Sequence, residues 1–153
     1  MNTFLIKAVR KSRKAGLLHL KPADKVIRLD CLADKCAKCC KTLGGPMVSK
    51  TEADKIGLDS IMKTKKGSFI KSNGSTCSLL EKGLCSRYPD RPKGCREYPW
   101  YNIDGKLYYD VGCPGMKTDE DDRPDVKDIQ PFENFFPGLP RLLVRVIKKI
   151  CTR

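Results

Sequence analysis

The chain has 153 residues, of which 40% are hydrophobic and 32% are charged, and 31 Lys and Arg against 18 Asp and Glu give a net charge of +13. No apolar run approaches the roughly 20 residues that a bilayer-spanning helix needs, so the sequence excludes a transmembrane protein. It also shows neither a fixed repeat nor low complexity, which excludes collagen, a coiled coil and a fully disordered chain. Nine cysteines remain to be explained by disulfides, metal ligation or catalytic thiols.

The first segment alternates apolar and basic side chains at helical spacing, which predicts a basic amphipathic helix over 3–15. Lys7 interrupts the apolar residues early, so the segment lacks the unbroken apolar stretch of about 7 residues that a secretory signal needs. We therefore expect a cytoplasmic protein with reduced thiols. In that compartment, a dense and odd-numbered set of cysteines indicates metal binding rather than disulfides.

The sequence Ser49-Lys50-Thr51-Glu52 fits a capping box, in which the Ser49 hydroxyl accepts from the Glu52 amide and the Glu52 carboxylate reaches back. It predicts a helix that runs to about Ser60 or Met62, weakened at Gly57.

Two hairpins are predicted further along the chain. Residues 77–85 are expected to turn at Lys82-Gly83 and to bring Cys77 and Cys85 close together across the strand pair. Residues 100–109 hold aromatic-rich strands on both sides of Asp104-Gly105, which is a strong turn signal.

The end of the chain predicts the clearest helix, because its apolar residues repeat at intervals of three and four with Arg and Lys on the other side. Those apolar residues are Leu139, Leu142, Leu143, Val146, Ile147 and Ile150. We expect this stripe to pack on its own domain against the N-terminal helix, with Phe132, Phe135 and Phe136 as anchors. Peripheral membrane contact by 139–151, or contact with a protein partner, is the alternative.

These elements predict a small, cysteine-rich, metal-stabilised α+β fold with short hairpins. We expect a single domain over 1–153, with a metal-binding core at 31–115 and flanking helical segments at 1–30 and 116–153. Metal coordination then replaces part of a large apolar core.

Eight of the nine cysteines form two groups, whereas Cys151 stands alone in the last helix. The groups are Cys31, Cys36, Cys39 and Cys40, then Cys77, Cys85, Cys95 and Cys113. Two residues between cysteines let both sulfurs reach one metal around a tight loop. Basic neighbours favour the thiolate form, so we expect all eight as metal ligands.

Cys39 and Cys40 are adjacent, and side chains of consecutive residues point in different directions in an extended segment. We therefore expect that they serve two metals, or that one ligates and the other packs.

Several cysteine-centred motifs follow one another in the segment 31–115. They are Cys36-x2-Cys39-Cys40 with Cys31 just before it, Cys77-Ser78-Leu79-Leu80, Cys85-Ser86-Arg87-Tyr88, Arg91-Pro92-Lys93-Gly94-Cys95-Arg96-Glu97-Tyr98-Pro99, and Cys113-Pro114. Together they resemble the YkgJ-type cysteine-cluster proteins, a zinc- or iron-chelating family with a CxxCxxCC signature. The gap of four residues between Cys31 and Cys36 departs from the family pattern. The resemblance implies a bound zinc or iron–sulfur centre and no particular reaction.

Within the Cys95 motif, we expect Arg91, Pro92 and Arg96 to support the ligand loop. Zinc and an iron–sulfur cluster both suit all-cysteine ligation. The absence of histidine near the cysteines, together with Cys113-Pro114, slightly favours a [4Fe–4S] cluster. His19, the only histidine, is expected on the surface or in packing.

The function predicted from these residues is metal binding with a structural or redox role. One alternative is an enzyme that uses the cluster for methyl or electron transfer; its catalytic residues are unknown, although Glu97 and Asp110 could do acid–base work. Another is a basic nucleic-acid-binding module with structural zinc, in which Trp100 and neighbouring tyrosines stack on bases. The simpler explanation of these aromatics is a hairpin core.

Overall fold

The computed structural model describes residues 3–31, 36–136 and 138–153, and over them the fold is α+β, as the sequence predicts. The described helices are α1 (Thr3–Lys14), α2 (Lys38–Thr42), α3 (Lys50–Ile56), α4 (Lys93–Glu97) and α5 (Arg141–Cys151). The described strands are β1 (Leu20–Pro22), β2 (Arg28–Leu29), β3 (Met47–Val48), β4 (Ile61–Thr64), β5 (Gly67–Ile70), β6 (Ser72–Asn73), β7 (Thr76–Cys77), β8 (Leu80–Glu81), β9 (Leu84–Cys85), β10 (Trp100–Ile103), β11 (Lys106–Asp110) and β12 (Met116–Lys117). None of the described helices combines the length and the apolar character that a membrane crossing requires.

The chain divides into two compact units. Unit 1 consists of Met1–Asp34 and Tyr98–Arg153, and unit 2 consists of Lys35–Glu97, so unit 2 is inserted into the sequence of unit 1. The expectation of one domain with flanking segments stays a prediction.

Unit 1 is built on an antiparallel sheet in the order β1-β11-β10. Trp100 pairs with Tyr109 and Ile103 pairs with Lys106, which confirms the predicted hairpin. Asp104 and Gly105 both have positive φ, 52° and 80°, as the tightest hairpin turns require. The contribution of β1 was not predicted, since three residues that end in proline carry little strand signal.

Helices α1 and α5 pack against each other, as predicted, and they share one core with residues of this sheet. α5 begins at Arg141, two residues later than the apolar pattern, because Pro140 has an extended backbone with φ −58° and ψ 140°. The core that they share consists of buried Val9, Leu20, Tyr101, Ile103, Phe132, Val144, Ile147 and Cys151. Phe135 and Phe136 pack around Tyr101 and Phe132, which confirms the expected aromatic anchor.

Unit 2 contains a second antiparallel sheet in the order β3-β5-β4, covered by α3. The predicted capping box is present, since Glu52 N donates to Ser49 Oγ at 3.2 Å and Ser49 N donates to Glu52 Oε2 at 2.8 Å. The predicted length of this helix is wrong. α3 stops at Ile56 because Gly57 adopts φ 105°, and a short 3-10 turn leads directly into β4.

Candidate metal centre

Five cysteines of unit 2 lie near one another, although they come from four different elements. Cys39 and Cys40 are in α2, Cys77 is on β7, Cys85 is on β9 and Cys95 is in α4. Cys39, Cys77 and Cys85 are all close enough to Cys95 to act on its charge, and Cys40 is within reach of Cys39, Cys77 and Cys95. We call these five residues the thiol cluster. The fold therefore brings members of both sequence groups together within one unit.

Helix α2 is held in place by contacts in its last turn and in the segment that follows it. The Ser75 hydroxyl donates to the Lys41 carbonyl at 2.9 Å, and Gly45 N donates to Ser72 Oγ at 2.6 Å. A Cβ on Gly45 would lie 2.1 Å from the Ile70 carbonyl oxygen, so only glycine permits the chain to pass this close to β5. These contacts fix α2 beside β7 and thus fix two cysteines beside Cys77.

Cys39 and Cys40 lie in a helix, so the assumption of an extended segment is wrong. Their side chains are hydrogen-bonded to each other. This bond from Cys40, against the opposing effect of burial, lowers the pKa of Cys39 to about 7. The same bond and then burial raise the pKa of Cys40. Of the two thiols, Cys39 is the more readily ionised, and Cys40 packs against the unit 2 core.

The predicted turn at Lys82-Gly83 is present, with positive φ at both residues, but the predicted strand pairing is wrong. Cys85 pairs with Leu80 in the β8–β9 hairpin, whereas Cys77 pairs with Ser72 in the β6–β7 hairpin. Residues 72–85 form two successive short hairpins, so the predicted 77–85 hairpin is shortened to 80–85. Both cysteines still belong to the unit 2 core, and each lies within electrostatic range of the other.

Cys95 is carried by α4, whose preceding loop is held by its own side chains. Cys95 N and Arg96 N both donate to the carbonyl of Pro92, which is buried. The Arg96 guanidinium donates to the Arg91 carbonyl at 2.8 Å, and Arg91 Nε donates to the Tyr88 carbonyl at 3.1 Å. The Arg91 guanidinium also stacks 3.9 Å from the centre of the Tyr88 ring. All three residues expected to support the loop therefore bind its backbone or pack within it.

Glu52 makes a contact that sequence reasoning missed. Besides closing the capping box of α3, its carboxylate accepts from Lys93 N at 2.7 Å and so caps the first amide of α4. One side chain thus connects α3 to the helix that carries Cys95. The capping motif revealed the first contact, but the second joins residues 41 positions apart and leaves no local pattern.

Burial dominates the ionisation of the deeper thiols. It raises the pKa of Cys77, and it raises the pKa of Cys95 to about 12 despite the positive charge of Arg91. A cation bound at such a sulfur would favour the thiolate, because a metal lowers the pKa of a coordinating thiol.

Two further cysteines of the predicted set belong to unit 1. β2 and β12 pair with Leu29 opposite Met116, and Asp30 N donates to the Gly115 carbonyl at 2.7 Å. This register brings the backbone of Cys31 beside Cys113-Pro114 at one end of the ladder. Cys36 precedes α2 in unit 2, and Cys151 is buried in the unit 1 core, where burial raises its pKa to about 11.

All nine cysteines carry free thiols. Within residues 3–31, 36–136 and 138–153, no three His, Cys, Asp or Glu side chains stand in an arrangement that would hold a metal ion. The thiol cluster is therefore a group of neighbouring donors rather than a finished coordination shell.

Asp110, considered from sequence for acid–base work, holds backbone segments of unit 1 together. It is fully buried, with 0% of its surface exposed, and it accepts hydrogen bonds from Leu18 N, His19 N, Gly112 N and the Tyr98 hydroxyl. Burial raises the pKa of the Tyr98 hydroxyl, and the negative charge of the neighbouring Asp110 carboxylate raises it further. His19 is occupied by a ring contact of 3.1 Å with the Arg13 carbonyl.

A family model named CxxCxxCC and described as "Putative zinc- or iron-chelating domain" matches residues 30–114, which is more than half of the chain. This chain is a member of the CxxCxxCC family. No curated protein and no solved structure matches it.

The donors of this CxxCxxCC domain fit the chemistry of both metals. Thiolate sulfur binds zinc and iron–sulfur clusters strongly, whereas carboxylate oxygens suit magnesium and calcium. The thiol cluster contains five sulfurs, and the positive charge of Arg91 lies within electrostatic range of Cys39 and Cys95. The residues present therefore match a soft, thiolate-bound centre.

Proposed function

We propose that this CxxCxxCC protein binds zinc or an iron–sulfur cluster through the thiol cluster of unit 2, with a structural or redox role. The observation that carries the proposal is the meeting of Cys39, Cys77, Cys85 and Cys95, four cysteines from four separate elements. Small folds that collect thiols around a short core commonly use metal coordination in place of apolar packing.

The thiol cluster offers one donor more than a four-ligand centre needs. Cys40 is the cysteine that we assign to support rather than ligation, because it packs against the unit 2 core and hydrogen-bonds to Cys39. Cys31, Cys36 and Cys113 complete the predicted set of eight cysteines. An iron–sulfur centre is our first choice, since the donors are all sulfur and a proline follows Cys113.

The bound centre would cross-link the four elements. A centre that contains iron could also accept or donate an electron. The chain's own residues hold the donors in place: Glu52 caps α4, Arg91 and Arg96 brace the loop, and Gly45 lets α2 approach β5. We further propose reducing, cytoplasmic surroundings, where free thiols remain available for metal.

The test is anaerobic purification of the full chain, followed by metal and sulfide analysis and visible absorption. A brown protein with acid-labile sulfide identifies an iron–sulfur cluster, whereas a colourless protein with stoichiometric zinc identifies the structural metal. Cys77→Ser and Cys95→Ser should each lose most of the metal. Cys40→Ala should retain it, although less firmly.

Cys151→Ala is the matched control, because it removes a buried cysteine from the unit 1 core. It should retain the full metal content. Metal content that is unchanged in Cys77→Ser and Cys95→Ser would reject the proposal.

A further inference from the structure

Helices α1 and α5 carry exposed stripes of the same pattern, each with one large apolar side chain in the first turn and cations after it. The stripes are Phe4, Lys7, Lys11 and Lys14 in α1, and Leu142, Arg145 and Lys149 in α5. Intervals of three and four residues put each set on one face of its helix. We call these two sets the basic stripes.

The opposite faces of both helices are already occupied. Val9 of α1 and Val144, Ile147 and Cys151 of α5 are buried in one core. Neither helix can therefore turn its main apolar face toward another molecule without opening unit 1. The basic stripes are the faces that remain available to a partner.

The two basic stripes belong to one part of unit 1. α1 and α5 pack on each other, and the Arg13 guanidinium donates to the Cys151 carbonyl at 3.1 Å, which joins the C-terminal ends of the helices. Neither helix contains an acidic residue. Lys148, outside the stripes, forms ion pairs with Asp104 and Glu133, but in the described part of the chain no ion pair neutralises a stripe cation.

The apolar residues of the basic stripes, Phe4 and Leu142, indicate which kind of polyanion these surfaces bind. Phe4 is 78% exposed and Leu142 is 70% exposed, more than any other large apolar side chain of the described residues. Nucleic acid offers phosphates to the cations, but it offers Leu142 no apolar phase. Trp100 and Tyr101, which could stack on bases, are buried. A bilayer offers anionic headgroups to cations and an acyl boundary to apolar side chains.

We propose that the basic stripes dock this protein peripherally on an anionic lipid surface, with Phe4 and Leu142 entering the headgroup layer. The cations lie over the lipid phosphates and carboxylates, and unit 1 stays folded, since its core faces are not used. This surface is independent of the thiol cluster, which lies in unit 2.

The test is sedimentation of the full, metal-loaded chain with vesicles of phosphatidylcholine alone or mixed with phosphatidylserine. Binding is expected only with phosphatidylserine, and it should weaken as salt is added. Lys7→Glu with Arg145→Glu should lower the partition coefficient by about tenfold or more. Phe4→Ser with Leu142→Ser should lower it several-fold at unchanged charge.

The control is Lys65→Glu with Lys66→Glu, which makes the same change of net charge on the exposed turn between β4 and β5. It should retain most of the binding. The proposal is overturned if no vesicle binds, if the control loses as much as the stripe variant, or if Phe4→Ser with Leu142→Ser binds as before. Tight binding to duplex DNA or RNA without vesicle binding would assign the basic stripes to nucleic acid instead.

Discussion

The carboxylate of Asp110 accepts three backbone amides and one phenol: Leu18 N at 2.6 Å, Gly112 N at 2.9 Å, Tyr98 Oη at 3.0 Å and His19 N at 3.1 Å. A charged acceptor with several donors compensates the free-energy cost of its own burial. Asp110 thereby ties the segment after α1 to the end of β11.

We expect Asp110→Asn to destabilise unit 1 by about 3 kcal/mol, because the amide nitrogen would face donors and at least one of them would lose its acceptor. Urea unfolding followed by tryptophan fluorescence measures the change. Tyr98→Phe removes a single donor and should cost about 1 kcal/mol. Equal losses in the two variants would contradict this account.

Glu52 serves two helix ends, and its ionisation should be visible in stability. Although burial opposes it, hydrogen bonds from the Ser49 and Lys93 amides lower the pKa of Glu52 below its ordinary value of 4.5. Because the pKa is lower in the folded state, the stabilisation is fully present above pH 4.5. It is lost as the pH falls through the folded pKa.

Glu52→Gln should therefore lower the free energy of unfolding by about 1 kcal/mol at neutral pH and by progressively less in acid. The uncharged glutamine side chain has only one acceptor oxygen for the two backbone N–H groups of Ser49 and Lys93. Denaturant unfolding across this pH range measures the difference. Asp54→Asn, an exposed change in the same helix, should alter stability little at any pH. A deficit in Glu52→Gln that is constant with pH would show that charge has no part in it.

At the residue scale, the sequence predicted those positions whose chemistry is unusual by itself. The cysteines and the Ser49–Glu52 box are examples, because one depends on residue type and the other on local spacing. Asp110 and the Glu52–Lys93 contact required the fold, since their partners lie 92 and 41 positions away.

Among the elements, α5 shows how a short helix is held at its end. The carbonyl of Cys151, its last residue, accepts from the Arg13 guanidinium of α1 at 3.1 Å. The carbonyl of Arg153, beyond the end of the helix, accepts from the same guanidinium at 3.4 Å. A cation at a helix C-terminus also interacts favourably with the helix dipole.

Arg13→Ala should loosen the last turn of α5 and cost about 1 kcal/mol, because these carbonyls lose a charged donor. Hydrogen exchange of the amides at 148–152 reports the change directly. Arg10→Ala removes an exposed cation from α1, the helix that carries Arg13, and should leave the exchange at 148–152 unchanged. Faster exchange in both variants would indicate a general effect of charge.

Element prediction failed where backbone geometry overrides pattern. Gly57 ended α3 early because of its positive φ. Cys77 closes an earlier hairpin with Ser72, so the hairpin predicted over 77–85 covers only 80–85. The long periodic segments succeeded, since α1 and α5 each bury one consistent face.

For the molecule as a whole, the two units differ in what holds them together. The apolar core of unit 2 contains Val48, Ala53, Ile56, Ile61, Ile70, Leu79 and Cys77, without an aromatic ring. Unit 1 has an aromatic cluster and two packed helices. Because this core is so small, we expect the proposed metal centre to supply much of the stability of unit 2.

Removal of the metal from the full chain by a chelator should therefore unfold unit 2 and leave unit 1 largely intact. Hydrogen exchange should show lost protection in β3, β4 and β5 and retained protection in β10, β11 and α5. Restoring zinc or reconstituting the cluster should reverse the change. Simultaneous loss of protection in both units would refute this division of stability.

The α+β class and the cysteine-cluster family could be recognised from sequence because they depend on local periodicity and motif order. The division into units could not, since it depends on which distant strands pair. β1 joins β11 across the whole cysteine segment, and no local signal records that pairing.

The insertion of unit 2 between β2 and β10 has a consequence for how the centre is assembled. Unit 1 pairs β1 with β11 and β2 with β12, so it anchors the chain on both sides of the insertion. Without metal, unit 2 is then a loop whose two ends are both held by unit 1, rather than a segment with one free end. Because the ends of this loop are already held together, part of the entropic cost of its closure is absent. Binding of the metal ion should therefore cost less conformational entropy than it would in a free chain.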